Sequence, residues 1–396
     1  MNRTIRHLAP AAVIAISAIG AAPVRADDHN AYLVTNLVSD LKGVAAFQDK
    51  VLMNSWGVTF TPAGSPFWIA DNATGCATLY DGDGTIVPLQ VNIPLPTGVP
   101  ATDCKPVDPK NPPNPTPAAP TGTVWNPASA FTVPGTKIAA VFIFDTEDGT
   151  VSAWAPNLSP FPNNAVIAVD NSKVPNAANG AVYKGLAFGV SANHGPLLYA
   201  TNFRAGTVDV FGPPSTPGGL FTSVTTNGGF SDPNIPAGFA PFGIQNINGN
   251  LYVTYAKQNG VKHDDVAGPG NGFVDVFDTD GNLVQRLASR GVLNSPWGVA
   301  RASAAFGRFS GDILIGNFGN GQINAFDQDG HLDDTLKGLN HKPLTIDGLW
   351  TLTLGGGAKS NPDTLYFTAG PNGETDGLFG TITPVGDGDN DQDDTH

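Results

Sequence analysis

Three short strings carry the side chains best suited to chemistry in this 396-residue chain: Asp71-Asn72, Asn202-Phe203 and Asn317-Phe318. Each ends an apolar run, and each Asn-Phe step meets a glycine within three residues. Amide and carboxylate oxygens brought together from several such ends, with Asp347 added, would ligate a cation or hydrogen-bond a polar ligand. The same amides can cap the turns that follow them, and their repetition along the chain favours that structural role. Trp56, Phe242, Trp297 and Trp350 recur beside glycines or at the start of apolar runs. Such rings offer a platform to a sugar or a planar ligand, or else a packing surface between neighbouring sheets. With Phe203 and Phe318 they complete the candidate binding set. His263-Asp264-Asp265, near Lys257 and Lys262, is the one compact cluster of titratable groups with acid/base potential, and solvated charge clusters of this kind are commoner than catalytic ones.

Several chemistries are absent by motif. There is no His-x-x-x-His spacing for zinc, no Gly-x-Ser-x-Gly elbow and no Gly-x-x-x-x-Gly-Lys phosphate loop. The glycine-rich stretch from Gly316 to Gly321 joins two apolar runs and opens no helix, which argues against phosphate binding.

A repeating unit must position these residues. Trp56-Gly57-Val58, Ile69-Ala70-Asp71-Asn72 and Tyr80-Asp81-Gly82-Asp83-Gly84 are matched later by Trp297-Gly298-Val299, Leu314-Ile315-Gly316-Asn317 and Phe326-Asp327-Gln328-Asp329-Gly330. Three apolar runs with glycine-rich turns, repeated at blade-like spacing, predict an all-β, six-bladed β-propeller over residues 27–385. The blades are expected at 53–97, 121–170, 183–226, 240–288, 295–337 and 346–384, with 98–120 a proline-rich insertion. The last blade lacks a good fourth strand, and the run Tyr32 to Val38 has no partner of its own. The N-terminal strand is therefore expected to pair outside the last blade and close the ring. In such a ring the loops entering the innermost strands and those joining second to third strands build the ligand face. The Asp-x-Asp-Gly strings read as hairpin turns, since aspartate caps its own backbone and glycine supplies positive φ.

The ends and the composition set the compartment. Arg3, Arg6 and His7 precede an apolar stretch, Ala11 to Ala22, too short to span a bilayer, and Val24-Arg25-Ala26 offers a cleavage site before Asp27. A signal peptide over 1–26 predicts a secreted or periplasmic protein with no transmembrane anchor after cleavage. Cleavage takes the formal net charge from −14 to −17, because the three lost arginines are accompanied by no acid. That charge opposes nucleic acid and anionic lipid. Residues 386–396 are an acidic tail with too little apolar content to pack, which predicts disorder. The two cysteines, Cys76 and Cys104, are expected to pair in an oxidising compartment and staple the proline-rich insertion to the first blade. Charged residues are 14% of the chain against 48 glycines and 34 prolines, a balance of short strands and turns rather than helices.

Tyr32 to Asp40, Asn54-Ser55-Trp56-Gly57-Val58, Asn294-Ser295-Pro296-Trp297-Gly298-Val299 and Gly311 to Gly319 together resemble an uncharacterised family of secreted bacterial six-bladed propellers. Some members end in a PEP-type sorting segment that this chain lacks. The chain is more distantly similar to NHL-repeat propellers and to calcium-dependent lactonases of the gluconolactonase type. That last resemblance implies one Glu, two Asn and one Asp around a channel metal. Asp71, Asn72, Asn202, Asn317 and Asp347 are available for it. The only two glutamates, Glu147 and Glu374, are not expected near the end of a second strand. The reading that follows is a secreted propeller acting as a binding or scaffold module for a small molecule, glycan or protein. The alternatives are a calcium-assisted hydrolase, lactonase or lyase using channel Asn and Asp residues, and a structural matrix protein.

Overall fold

The computed structural model describes residues 29–96, 104–160 and 162–386. The expected cleavage point between Ala26 and Asp27, most of the acidic tail and residues 97–103 of the insertion lie outside the described residues. Six sheets form among the described residues. Their innermost strands are Ser55–Thr59, Pro120–Trp125, Tyr183–Ser191, Phe239–Ile247, Pro296–Arg301 and Leu349–Leu354. Five of these sheets run outward antiparallel in chain order, and the sixth does so over its first three strands, the arrangement of propeller blades.

The ring closes as the orphan N-terminal run requires. Tyr32–Ser39 pairs antiparallel with Leu378–Pro384, from Tyr32 opposite Pro384 to Ser39 opposite Leu378, with a one-residue register shift between Asn36 and Val38. A short strand, Phe47–Gln48, adds in parallel outside it, so the last blade has five strands. The strands of blade three span Tyr183 to Ser223. Its fourth strand is only Thr222–Ser223, while the fourth strands of the other blades have four residues or more.

The glycines beside the aromatic starts have a steric cause. A Cβ on Gly57 would lie 2.5 Å from Thr121 O, one on Gly122 2.2 Å from Leu186 N, and one on Gly298 2.4 Å from Trp350 O. Only glycine lets the inner strands approach so closely around the axis. The cavity left between them, lined by Gly57, Gly122, Leu186, Ile244, Gly298 and Leu352, measures about 30 Å³. That is room for about one or two water molecules.

The Asp-Gly turns link blades. Gly82 N–H donates to Ala358 O at 2.7 Å, tying blade one to blade six. In blade four, Asp280 accepts from Ser191 Oγ at 2.6 Å and from Asn193 Nδ2 at 2.8 Å, both on blade three. Gln328 O accepts from Gln285 Nε2 at 3.1 Å across the next junction. Three turns at equivalent places thus hold neighbouring sheets together, which explains their repetition.

Cys76 and Cys104 are disulfide-bonded, with Cα atoms 5.7 Å apart and a sequence separation of 28. Closing a loop of that length limits the unfolded chain. Replacing both cysteines by serine should cost about 3 kcal/mol. The expected readout is a lower urea midpoint under non-reducing conditions. An unchanged midpoint would mean that the bridge adds nothing.

Candidate ligand site at the mouth of the channel

One end of the ring is sealed by aromatic rings. Trp56, Trp297, Trp350, Phe203 and Phe242 are buried in one cluster, with Phe318 partly buried against it. Trp56 stacks on Trp350 with centroids 3.4 Å apart, and Phe318 covers Trp350 from 4.0 Å. Trp297 meets both tryptophans edge-on at about 6 Å. The six rings of the candidate set share this one cluster. Their faces pack on one another, and they form a floor rather than an open ring of platforms.

Charged and amide groups from five blades sit around this floor. Asn54 enters the first blade, and Asn72 follows its second strand, Phe67–Asp71. Glu147 follows the second strand of blade two, Phe142–Thr146. Lys184 is the second residue of the innermost strand of blade three. His263 and Asp264 come from the 258–271 loop of blade four, and Glu374 from a single helical turn, Pro371–Glu374, after the second strand of blade six. Two amides join the two glutamates. Asn72 Nδ2 donates to Glu147 Oε2 at 2.9 Å, and Asn54 Nδ2 donates to Asn72 Oδ1 at 3.2 Å and to Glu374 Oε2 at 2.9 Å. Asn54 Oδ1 accepts the indole N–H of Trp350 at 3.1 Å, which anchors the relay to the floor. Asn54 and Glu374 both hold left-handed backbone, at φ 48° and 67°. Strain of that kind in non-glycine residues concentrates at functional sites.

Lys184 is the centre of the cluster. Its side chain is 3% exposed and its ammonium donates to Glu147. Asp264 Oδ1 lies 3.6 Å away, and the ring centroids of Trp56 and Phe203 lie 5.2 and 5.9 Å from Nζ. Burial works against the charge, but Glu147, Asp264 and Glu374 outweigh it and hold the pKa above the ordinary lysine value. Around it, burial raises the pKa of Glu374, with Glu147 adding repulsion. Burial likewise raises Asp265 and Asp148. Asp264 moves the other way, to about 2, through its 2.7 Å hydrogen bond with His263 and the nearby Lys184 charge. Trp56, under the ammonium, has a buried indole N–H with no hydrogen-bond partner.

The 258–271 loop lies across the mouth. Gln258 Nε2 donates to Phe203 O on blade three, and Gly268 N–H donates to Asn294 Oδ1 on blade five at 2.6 Å. The His263-Asp264 cluster is thereby carried to Lys184.

The other candidates are placed differently. Asn202 Oδ1 accepts from Val182 and Ala205 N–H, and its Nδ2 donates to Asp209. Asn317 Oδ1 accepts from Asn294 N–H and its Nδ2 donates to Val292 O. Both amides hold loops. Asp71 is fully buried against Thr78 and Ser55 within blade one, and exposed Asp347 caps Asn372 N–H. Of the expected amides and acids, only Asn72 joins the relay at the mouth. One expectation is corrected: both glutamates lie in connections after second strands, at the mouth. The second strand of blade two runs to Thr146, which makes Glu147 the first residue of the turn that follows. Its position, equivalent to Asn72 in the repeat, was the available signal. Lys184 and Glu374 gave none, since nothing near them in sequence is charged in pattern.

Among the described residues, two sets of three carboxylate and imidazole donors lie within 4.8 Å of one another: Glu147, His263 and Asp264, and Asp327, Asp329 and His331. Each could hold a metal ion. The second set is an exposed hairpin turn.

These features define a six-bladed β-propeller with a sealed channel and a charged mouth. The chain is 31% identical over 357 residues to uncharacterized protein R648 of Acanthamoeba polyphaga mimivirus, covering 88% of this chain and 79% of that one. It is 30% identical over 352 residues to uncharacterized protein L690 of the same virus, covering 88% and 85%. It belongs to the family of these viral proteins. Those relatives are from a giant virus, not from secreted bacterial proteins as the resemblance of the sequence strings implied. No protein-family model matches the chain. Among solved structures, a gluconolactonase from Xanthomonas campestris is 15% identical, covering 84% of this chain and 88% of that one at a TM-score of 0.46. A streptogramin B lyase is 13% identical, covering 89% and 97% at 0.46. A glucose dehydrogenase is 12% identical, covering 89% and 100% at 0.49. Likeness at this level extends to no activity.

Proposed function

We propose that this propeller is a binding module that takes a small, neutral, hydroxyl-rich ligand at its mouth. One observation carries the reading: a buried ammonium and the only two glutamates of the chain meet there, from three different blades. A ring needs no such cluster to stay closed, and burying charge is costly. The groups alternate between acceptors, the carboxylates, and donors, the ammonium and amides. A hydroxyl serves both. The acidic balance of the mouth and of the whole chain disfavours an anionic ligand. The disulfide is compatible with the secreted or periplasmic location, with signal cleavage after Ala26, that we propose alongside. No helix among the described residues is long and apolar enough to cross a membrane.

Calorimetric titration with neutral mono- and oligosaccharides tests this. The wild type should bind at least one, and Asn72→Ala with Glu374→Gln should weaken it tenfold or more, a loss of about 1.4 kcal/mol, while still melting cooperatively. Equal binding by the folded variant removes the mouth from the assignment. No binding across the panel removes the reading.

A second reading, a calcium-assisted hydrolase or lyase, draws on the Glu147, His263 and Asp264 donors. A metal there would polarise a carbonyl and acidify bound water. It would have to share Glu147 and Asp264 with the ammonium of Lys184.

A further inference from the structure

We propose that Lys184 is the resident cation of the mouth, and that the site works with this ammonium in place of a metal ion. The inference deepens the binding-module reading and rests on the same residues.

The gluconolactonase-type resemblance implies a channel metal held by one Glu, two Asn and one Asp. The residues present do not supply that ligand set, and the donors that do gather at the mouth, Glu147, His263 and Asp264, share two of their three members with Lys184. The two carboxylates paired with Lys184, Glu147 and Asp264, already face its one ammonium, at hydrogen-bond distance and at 3.6 Å. That ammonium is 3% exposed, so it cannot swing aside into water without leaving the cluster. A divalent ion on the same oxygens would stand against a like charge at close range, with little screening on the side of buried Lys184 and Glu147 and more at Asp264, which is open to water. The amides needed as further ligands are engaged elsewhere. Asn202 and Asn317 direct their oxygens to backbone N–H groups. Asn72 Oδ1 already accepts from Asn54. The carboxylate of Asp71 is buried against Thr78.

The ammonium also satisfies what a metal would otherwise balance. Glu147, Glu374, Asp264 and Asp265 all couple to it electrostatically. Trp56 and Phe203 place ring faces toward the same charge, as aromatic groups do for an organic cation. A thiolate, imidazole or carboxylate cage built for a metal ion needs no such faces.

Terbium is the probe, because a nearby tryptophan sensitises its emission and Trp56 lies under the site. The wild type should show no tryptophan-sensitised terbium emission and no change in melting temperature between EDTA and millimolar calcium. Lys184→Met frees two carboxylates, so it should gain terbium emission that calcium displaces, with at least tenfold higher affinity than the wild type. Adding Glu147→Gln to it should abolish the gain. Wild-type emission that is lost in Glu147→Gln alone would overturn the inference, and this arm decides even if Lys184→Met does not fold. A folded Lys184→Met that gains no metal affinity would overturn it as well. All arms read the metal directly, so they report on Lys184 whether or not a saccharide binds. Failure of the saccharide titration alone falls on the binding-module reading.

Discussion

A chain beginning at residue 45 should not form the native ring. The strand Tyr32–Ser39 that it loses connects three blades. Tyr32 is buried, stacks on Phe306 at 5.1 Å, and donates its hydroxyl to Phe306 O at 3.1 Å in blade five. Its N–H donates to Lys337 O at 2.9 Å. Leu37 and Val38 pack with Leu52, Tyr80 and Phe379, between blades one and six. Burial of these three side chains is worth about 2 kcal/mol each, so about 6 kcal/mol in all. That approaches the roughly 5–15 kcal/mol of a whole domain. Removal also leaves Leu378–Pro384 as an open edge, a template for aggregation. Circular dichroism during heating should show an early or lost cooperative transition, and size exclusion should show aggregates. A soluble truncated chain with wild-type stability would refute the closure role of this strand.

Asp145→Asn should make the protein more stable at neutral and alkaline pH, and less so in acid. Asp145 is fully buried at the end of the second strand of blade two. Oδ1 accepts from Thr121 Oγ1 at 2.9 Å and from Gly122 N–H at 2.6 Å, while Oδ2 has no partner. Burial outweighs those two bonds and lifts the pKa from 3.8 to about 7. The folded state therefore holds a proton that the unfolded state releases. Its stabilisation is complete below about pH 4 and is lost as pH rises toward 7. Three units correspond to about 4 kcal/mol. Asparagine stays neutral throughout, and its Oδ1 can keep both donors. Urea unfolding at pH 5 and pH 8 should show a variant advantage that grows with pH to a few kcal/mol. Identical pH slopes for the two proteins would contradict it. Asp40 and Asp312, which burial lifts to about 6, leave a smaller slope of the same sign in both.

Much of the architecture is legible before folding, because a propeller is written in local pattern. Aromatic-Gly starts, strand runs and Asp-Gly turns repeat within each blade, and each depends on neighbours a few residues away. The unpaired run Tyr32 to Val38 and the missing strand of the last blade together indicated ring closure. The Asn-Phe steps were equally visible, but visibility did not separate ligand from cap. Asn202 and Asn317 serve loops, as their repetition favoured.

The mouth was less legible. Asn54 and Glu374 are hydrogen-bonded across 320 residues, and Trp350 reaches Asn54 across 296. Lys184 meets Glu147 across 37 residues and Asp264 on another blade. No period in the sequence marks such pairs, since each blade contributes one loop of its own length and composition.

The sequence alone therefore determined the repeat, the number of blades, the closing strand and the cysteine pair, all of which follow from local pattern or from the count of available partners. The tertiary structure decided which residues share the mouth, that the aromatic starts seal the channel, and that a lysine stands at its centre. Only the curvature of the closed ring sets those distances, because it brings loops from every part of the chain onto one axis.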